Sequence, residues 1–185
     1  EGNFSMGLLD GKGTQKNKNG YTYIGDWKTG EKTGIATINY EGGGKYEGGV
    51  LKGIRNGKGK LILLDGSILE GNFTNGTISG KGSIVYVNGD NYIGELLKNN
   101  IEGQGIKKFA SGSKFVGNFK NNLFHGYGIY ETKDGYKAEI KERTSVSMAD
   151  GTWNSWSAPS CDWIGFFQYT RTVKSNPVCG GNVAP

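Results

Sequence analysis

The chain has 185 residues, among them 34 Gly, 3 Pro and 1 His, and 22 basic against 17 acidic side chains give it a formal charge of +5. An aromatic share of 12% excludes a disordered composition, no Gly-x-y triplet indicates a collagen-like rod, and no apolar run approaches the ~18 residues of a membrane-spanning helix. Lys and acidic residues alternate along the chain without forming a basic face, which fits solvated strands and excludes a nucleic-acid surface.

The glycine excess is a period. Three columns, Gly2 to Gly117, Gly11 to Gly126 and Gly20 to Gly135, each advance in steps of 23 residues without an insertion. A 23-residue unit is therefore used six times. The first unit departs from the others, with Gln15 and Asn17 where later units have Ile38 and Tyr40 or Ile84 and Tyr86. Such polar replacement reads as a terminal cap, or as an end that pairs with another chain.

From the second unit onward the elements repeat in order. A strand opens as Tyr23-Gly25-Trp27, Tyr46-Gly48-Val50, Leu69-Gly71-Phe73, Tyr92-Gly94-Leu96 and Phe115-Gly117-Phe119, and the spacing of two puts each trio on one strand face. A turn follows at Gly30, Gly53 and Gly76, replaced by Asn99 and Asn122 in later units; Gly and Asn tolerate positive φ. An alternating run comes next, such as Gly57, Gly59, Leu61, Leu63 or Gly80, Gly82, Ile84, Tyr86. Asp65-Gly66, Asn88-Gly89 and Asp134-Gly135 then close units with tight-turn pairs. Each unit is thus predicted to be a β-hairpin, joined edge to edge with the next. The glycine columns are expected to give the rings of Tyr23, Trp27, Tyr46, Phe73, Tyr92, Phe115 and Phe119 a flat surface to lie on. An aromatic side chain buries about 150–250 Å², which outweighs the ~0.5–1 kcal/mol that Gly costs a strand.

This pattern resembles the MORN repeat family (membrane occupation and recognition nexus) over about residues 1–140. The resemblance implies an all-β, elongated, twisted single-layer sheet of tandem hairpins. "FHGYG" at 124–128 matches the family's H-G-x-G element, so His125 is expected to be a repeat position and not a ligand. At the seventh start, "YKAEI" (136–140), Tyr136 and Ile140 are read as retained and Ala138 as replacing the glycine. The period then ends, and a boundary is expected near residue 145, dividing an array at 1–144 from a small β module at 145–185.

That module, from "TWNSWSAPSCDWIGFF" onward, holds three of the four Trp and both Cys. It is too small to bury a core without a staple or a neighbour. Cys161 and Cys179 are expected to pair, contributing about 3 kcal/mol and implying an oxidising, extracellular or surface setting. The alternative is two free thiols in a cytosolic core. Trp153, Trp156, Cys161, Arg171 and Cys179 resemble a reduced thrombospondin type 1 module, which implies stacking of Trp153, Trp156 and Trp163 with Arg171; an exposed aromatic platform for protein or glycan is the other reading. Three N-x-S/T sequons, at Asn3, Asn72 and Asn75, are compatible with that setting.

No catalytic, cofactor or metal constellation is visible. There is no second His, no Cys/His cluster, no Walker A sequence and no G-x-S-x-G. The expectation is a non-catalytic, rigid spacer, fibre or adhesion module whose partners are proteins, including copies of itself, or a glycan. The second reading is an intracellular MORN scaffold that binds cytoskeletal partners or anionic lipid, for which Lys12, Lys16 and Lys18 or Lys107 and Lys108 are the nearest basic clusters.

Overall fold

The computed structural model describes residues 1–141, and over that span the chain forms one antiparallel sheet of thirteen strands with no helix. The strands are β1 (Gly2–Ser5), β2 (Leu8–Lys16), β3 (Thr22–Lys28), β4 (Glu31–Asn39), β5 (Lys45–Leu51), β6 (Ile54–Ile62), β7 (Ile68–Thr74), β8 (Thr77–Val85), β9 (Asn91–Leu97), β10 (Asn100–Lys108), β11 (Lys114–Lys120), β12 (Leu123–Glu131) and β13 (Lys137–Lys141). Spatial order is chain order, and the sheet does not close. The hairpin array expected from the period is therefore the fold. The boundary expected near residue 145 and the stapled module beyond it lie outside the described residues.

Two kinds of turn alternate. Within each hairpin the turn uses two consecutive positive-φ residues: Met6-Gly7, Thr29-Gly30, Lys52-Gly53, Asn75-Gly76, Lys98-Asn99 and Asn121-Asn122. That is the type I′ geometry, whose twist matches that of the flanking strands. Between hairpins the chain makes a longer turn. Leu63 N–H donates to Ser67 O at 2.8 Å and Gly66 N–H to Leu63 O at 3.1 Å. The Asp65 carboxylate accepts the Ser67 N–H at 2.8 Å, and Asn88 does the same for Asp90 at 3.0 Å. Asp and Asn suit this place because their short side chains satisfy the backbone two residues on.

Every hairpin is also bent. In each, the second strand carries two residues more than its partner opposes, as between Gly71/Phe73 on β7 and Ile78/Gly82 on β8. The surplus sits at Gly11, Gly34, Gly57, Gly80, Gly103 and Gly126, with φ between 64° and 104°. This middle column corrects the expectation that all glycine columns are ring platforms. A Cβ on Gly57 or Gly80 would meet nothing within 4 Å; glycine is there for its backbone angle, which forms a bulge and turns the strand.

The platform is a different row. In register it runs Gly2, Gly13, Gly25, Ala36, Gly48, Gly59, Gly71, Gly82, Gly94, Gly105, Gly117, Gly128, one residue per strand, with Ala36 the exception. A Cβ on Gly13 would lie 2.8 Å from the Trp27 ring, and one on Gly82 would lie 2.7 Å from Leu96 Cδ1. On Gly59, Gly105 and Gly128 it would run into the rings of Tyr46, Tyr92 and Phe115.

The core lies in the crook of the bent hairpins, because a single open sheet has nothing else to cover it. Side chains four apart and perpendicular to a straight strand would stand about 13 Å apart. The rings of Tyr23 and Trp27 have centroids 5.2 Å apart at 78°, and those of Phe115 and Phe119 are 5.3 Å apart at 89°. Neighbouring hairpins interlock in the same way, with Tyr46 on Phe73 at 5.2 Å and Tyr92 on Phe119 at 5.1 Å. Edge-to-face pairs of this kind are worth ~0.5–1.5 kcal/mol beyond the area they bury.

At the seventh start the register differs from the sequence reading by two residues. Ala138 pairs with Tyr130 and Ile140 with Gly128. Ala138 therefore takes the aromatic position and Ile140 the glycine position. With no ring of its own to seat, β13 can carry a branched side chain there, and Ile140 is buried against the last hairpin.

Candidate interaction surface

The repeat-core residues named from sequence, Tyr23, Trp27, Tyr46, Phe73, Tyr92, Phe115 and Phe119, are all buried and joined in one continuous core. They hold the array together and are not available to a partner. The Tyr23 hydroxyl donates to Asp26 O at 2.8 Å and Thr33 O at 3.3 Å, that of Tyr46 to Gly49 O at 2.8 Å, and that of Tyr92 to Glu95 O at 2.8 Å. Burial pushes the Tyr23 hydroxyl up to about 12 and raises Tyr46 and Tyr92 also. Trp153, Trp156, Trp163, Arg171, Cys161 and Cys179 lie outside the described residues.

Three cations sit at the rim of the core; sequence reasoning missed Lys32 and Arg55, and named Lys107 only as part of a basic cluster for anionic lipid. Lys32 Nζ lies 4.9 Å from the ring centroids of both Tyr21 and Tyr23 and 5.6 Å from that of Trp27, and it donates to the Tyr21 hydroxyl at 3.1 Å. The Arg55 guanidinium stands 5.5 Å from Phe73 and 5.9 Å from Tyr40 and Tyr46, and it donates to Gly76 O at 2.7 Å. Lys107 Nζ is 5.1 Å from Phe109 and 3.6 Å from the Asp90 carboxylate, with side-chain exposures of 18% and 4%. The signal was in the period. Lys32 and Arg55 share a 23-residue column with Ile78, Ile101 and Phe124, and Lys107 shares one with Ile38, Leu61 and Ile84. A cation in an otherwise apolar column must be held by rings or an anion. Asp90 also accepts the Ala110 N–H at 3.0 Å, which completes its satisfaction.

The opposite, outer face is what the array leaves for contact. Beside the glycine platform it presents one residue per strand from β2 onward, in register: Thr14, Ile24, Thr37, then Glu47, Lys60, Glu70, Ser83, then Ile93, Ile106, Val116, Ile129, and last Glu139. The middle is a charged stretch, with Lys60 and Glu70 at 3.3 Å. The C-terminal end is aliphatic: Ile93 is 60% exposed, Ile106 39% and Val116 40%. Two shallow grooves follow this face. One of about 490 Å³ lies between Lys12, Ile24 and Ile35, and one of about 440 Å³ between Lys81, Ile93, Glu95 and Val116. Lys12 pairs with Asp26 at 2.6 Å, and that lysine together with the Ile35 N–H holds the Asp26 carboxyl below its usual range. Among the described residues the outer edges of β1 and β13 have no strand partner. Among the described residues no His, Cys, Asp or Glu group has the arrangement of a metal site. His125 sits half-buried on β12, at the repeat position assigned to it.

A family model described as MORN repeat matches residues 1–20, 46–68, 70–91, 92–114 and 115–135. Residues 21–45, between the matched segments, fold as the same bent hairpin. A search of curated proteins returns no match. Among solved structures the chain is similar to the TCP domain of SAS-4 (dCPAP) of Drosophila melanogaster, in complex with a proline-rich motif of Ana2 (dSTIL), at 12% identity and a TM-score of 0.36, covering 74% of this chain and 90% of that one.

Proposed function

The chain belongs to the MORN repeat family, a non-enzymatic repeat module, and from that premise we propose that it is a rigid protein-binding spacer that makes its contacts through its outer face and sheet edges. One observation carries this reading: thirteen strands form a single open sheet whose rings and rim cations are consumed in holding the hairpins to one another. At about 4.8 Å per strand such a sheet is on the order of 60 Å long.

In this reading the partners are proteins, and the setting is extracellular or on a virion or cell surface, with Cys161 and Cys179 paired. The intracellular MORN scaffold separates from it by the redox state of that pair. A headgroup site for anionic lipid wants several unpaired, clustered cations, and two of the lysines nearest to forming one, Lys12 and Lys107, are already engaged by Asp26 and Asp90. Self-association through the edges takes a specific form. β1 and β13 are both odd-numbered strands of an antiparallel sheet and run in the same direction. Translation of a copy would pair them in parallel, whereas a two-fold axis pairs like edges antiparallel and closes a dimer.

Small-angle scattering with sedimentation of the full chain, with and without reductant, is the test. An elongated monomer or dimer is expected, and intact mass spectrometry should show each chain gaining two hydrogen atoms, about 2 Da, on reduction. A compact sphere, or thiols free in material from the native source, would overturn the spacer or its compartment respectively.

A further inference from the structure

We propose that the aliphatic row Ile93, Ile106, Val116 and Ile129 on β9–β12 is the docking site of the chain's own C-terminal segment, residues 142–185, seated through the aromatic residues that begin at Trp153. The inference goes beyond the spacer reading and does not depend on the compartment.

The repeat supplies its own control. The same outer position is Thr, Ile or Thr in β2–β4 and charged or Ser in β5–β8, it is aliphatic throughout β9–β12, and the row ends in Glu139 on β13, from which the chain leaves the sheet. Nothing in the hairpin geometry requires this, since charged and aliphatic versions of the position fold alike. Reach also fits. β13 ends at Lys141 beside β12, and Ile93 lies four strands away, about 19 Å. Trp153 follows Lys141 by twelve residues, enough to span up to ~40 Å when extended.

The chemistry of the segment fits as well. Trp153, Trp156, Trp163, Ile164, Phe166 and Phe167 fall within fifteen residues, and a piece of this size cannot bury them by itself. Four aliphatic side chains are a small patch beside the ~800 Å² per partner of a stable interface between separate molecules. A tether removes that objection, because it raises the effective concentration of the segment to the millimolar range. The occupant is therefore the attached segment and not a second copy.

Hydrogen exchange of the full chain, followed by mass spectrometry, tests the assignment. Peptides covering residues 152–167 are expected to exchange slowly, and Ile106→Ser with Val116→Ser to speed them by about tenfold or more. Ile24→Ser, at the same position near the N-terminus, is expected to change nothing there. These side chains are exposed, so circular dichroism should show the sheet intact in all variants. Fast exchange in the unaltered chain would overturn the proposal, and so would protection that ignores the double substitution. Protection that vanishes on roughly hundredfold dilution would assign the row to a second copy and equally overturn it.

Discussion

Glycine in this protein does two separate jobs, and substitution distinguishes them. Gly105 lies under the Tyr92 ring at φ that other residues can adopt, so Gly105→Ala fails by collision. Gly80 is at φ 99° with nothing within 4 Å, so Gly80→Ala fails only by backbone strain. Strain of that kind costs about 1–2 kcal/mol, and overpacking a rigid ring against backbone about 1–3 kcal/mol. The two variants should therefore respond differently to a second change: Tyr92→Leu, which mimics Leu69 of the fourth unit, restores most of the loss at Gly105 and none at Gly80. Urea titration of the single and double variants reads this directly. From sequence Gly80 looked like a platform, and Gly105 lies in a column with Gly13, Gly59, Gly82 and Gly128 that was not singled out; residue type records the absence of a side chain and not the reason for it.

Adjacent hairpins are coupled by contacts about 21 residues apart. The turn amides of Gly30, Gly53, Gly76, Asn99 and Asn122 donate to Leu9, Lys32, Arg55, Ile78 and Ile101 carbonyls at 2.8–3.0 Å. Asn99 and Asn122 add side-chain acceptors for the Ile78 and Ile101 N–H groups at 2.8 and 2.7 Å. These asparagines were legible as left-handed turn formers, but their second role was not, because it depends on where the preceding hairpin places its amides. Asp90 adds a bond of this kind by accepting the Ala110 N–H of the next loop at 3.0 Å, and its pair with Lys107 acts within one hairpin, joining the loop before β9 to β10. Breaking a buried pair leaves one charge uncompensated, so Asp90→Asn should cost about 1–3 kcal/mol. Lys107→Ile together with Asp90→Asn should recover most of it, since Ile84 already occupies that column. A double-mutant cycle by chemical denaturation gives the coupling.

At the scale of the whole molecule the array behaves as a stack of equivalent units. Its stability is a sum of hairpin and nearest-neighbour terms. Excision of residues 69–91, one full period, should therefore leave a folded sheet shorter by about 10 Å and less stable in proportion. Excision of residues 69–90 removes one residue fewer and throws every later side chain to the wrong face. It should yield a truncated or unfolded array. Circular dichroism and small-angle scattering of the two deletions provide the comparison. β13, the last described strand, departs from the unit: Ala138 supplies no ring, and Ile140 fills the platform position that is bare in nearly every other strand. Aligning "YKAEI" on its leading Tyr put the register off by two, although the period itself marks the platform: one step of 23 residues beyond Gly117 is Ile140, and Ile140 pairs with Gly128.

The amino-acid order by itself determined the hairpins, their count, their turns and their sequential pairing. Every described strand pairs only with its chain neighbours, so over residues 1–141 a 23-residue period carries the topological information. The tertiary structure alone decided where the sheet bends, which glycines bend it and which cations the rings enclose. It also decided which row of side chains is left on the outer face. Those features arise when separate strands come into register, and a column read along one chain does not show which side of the sheet it will face.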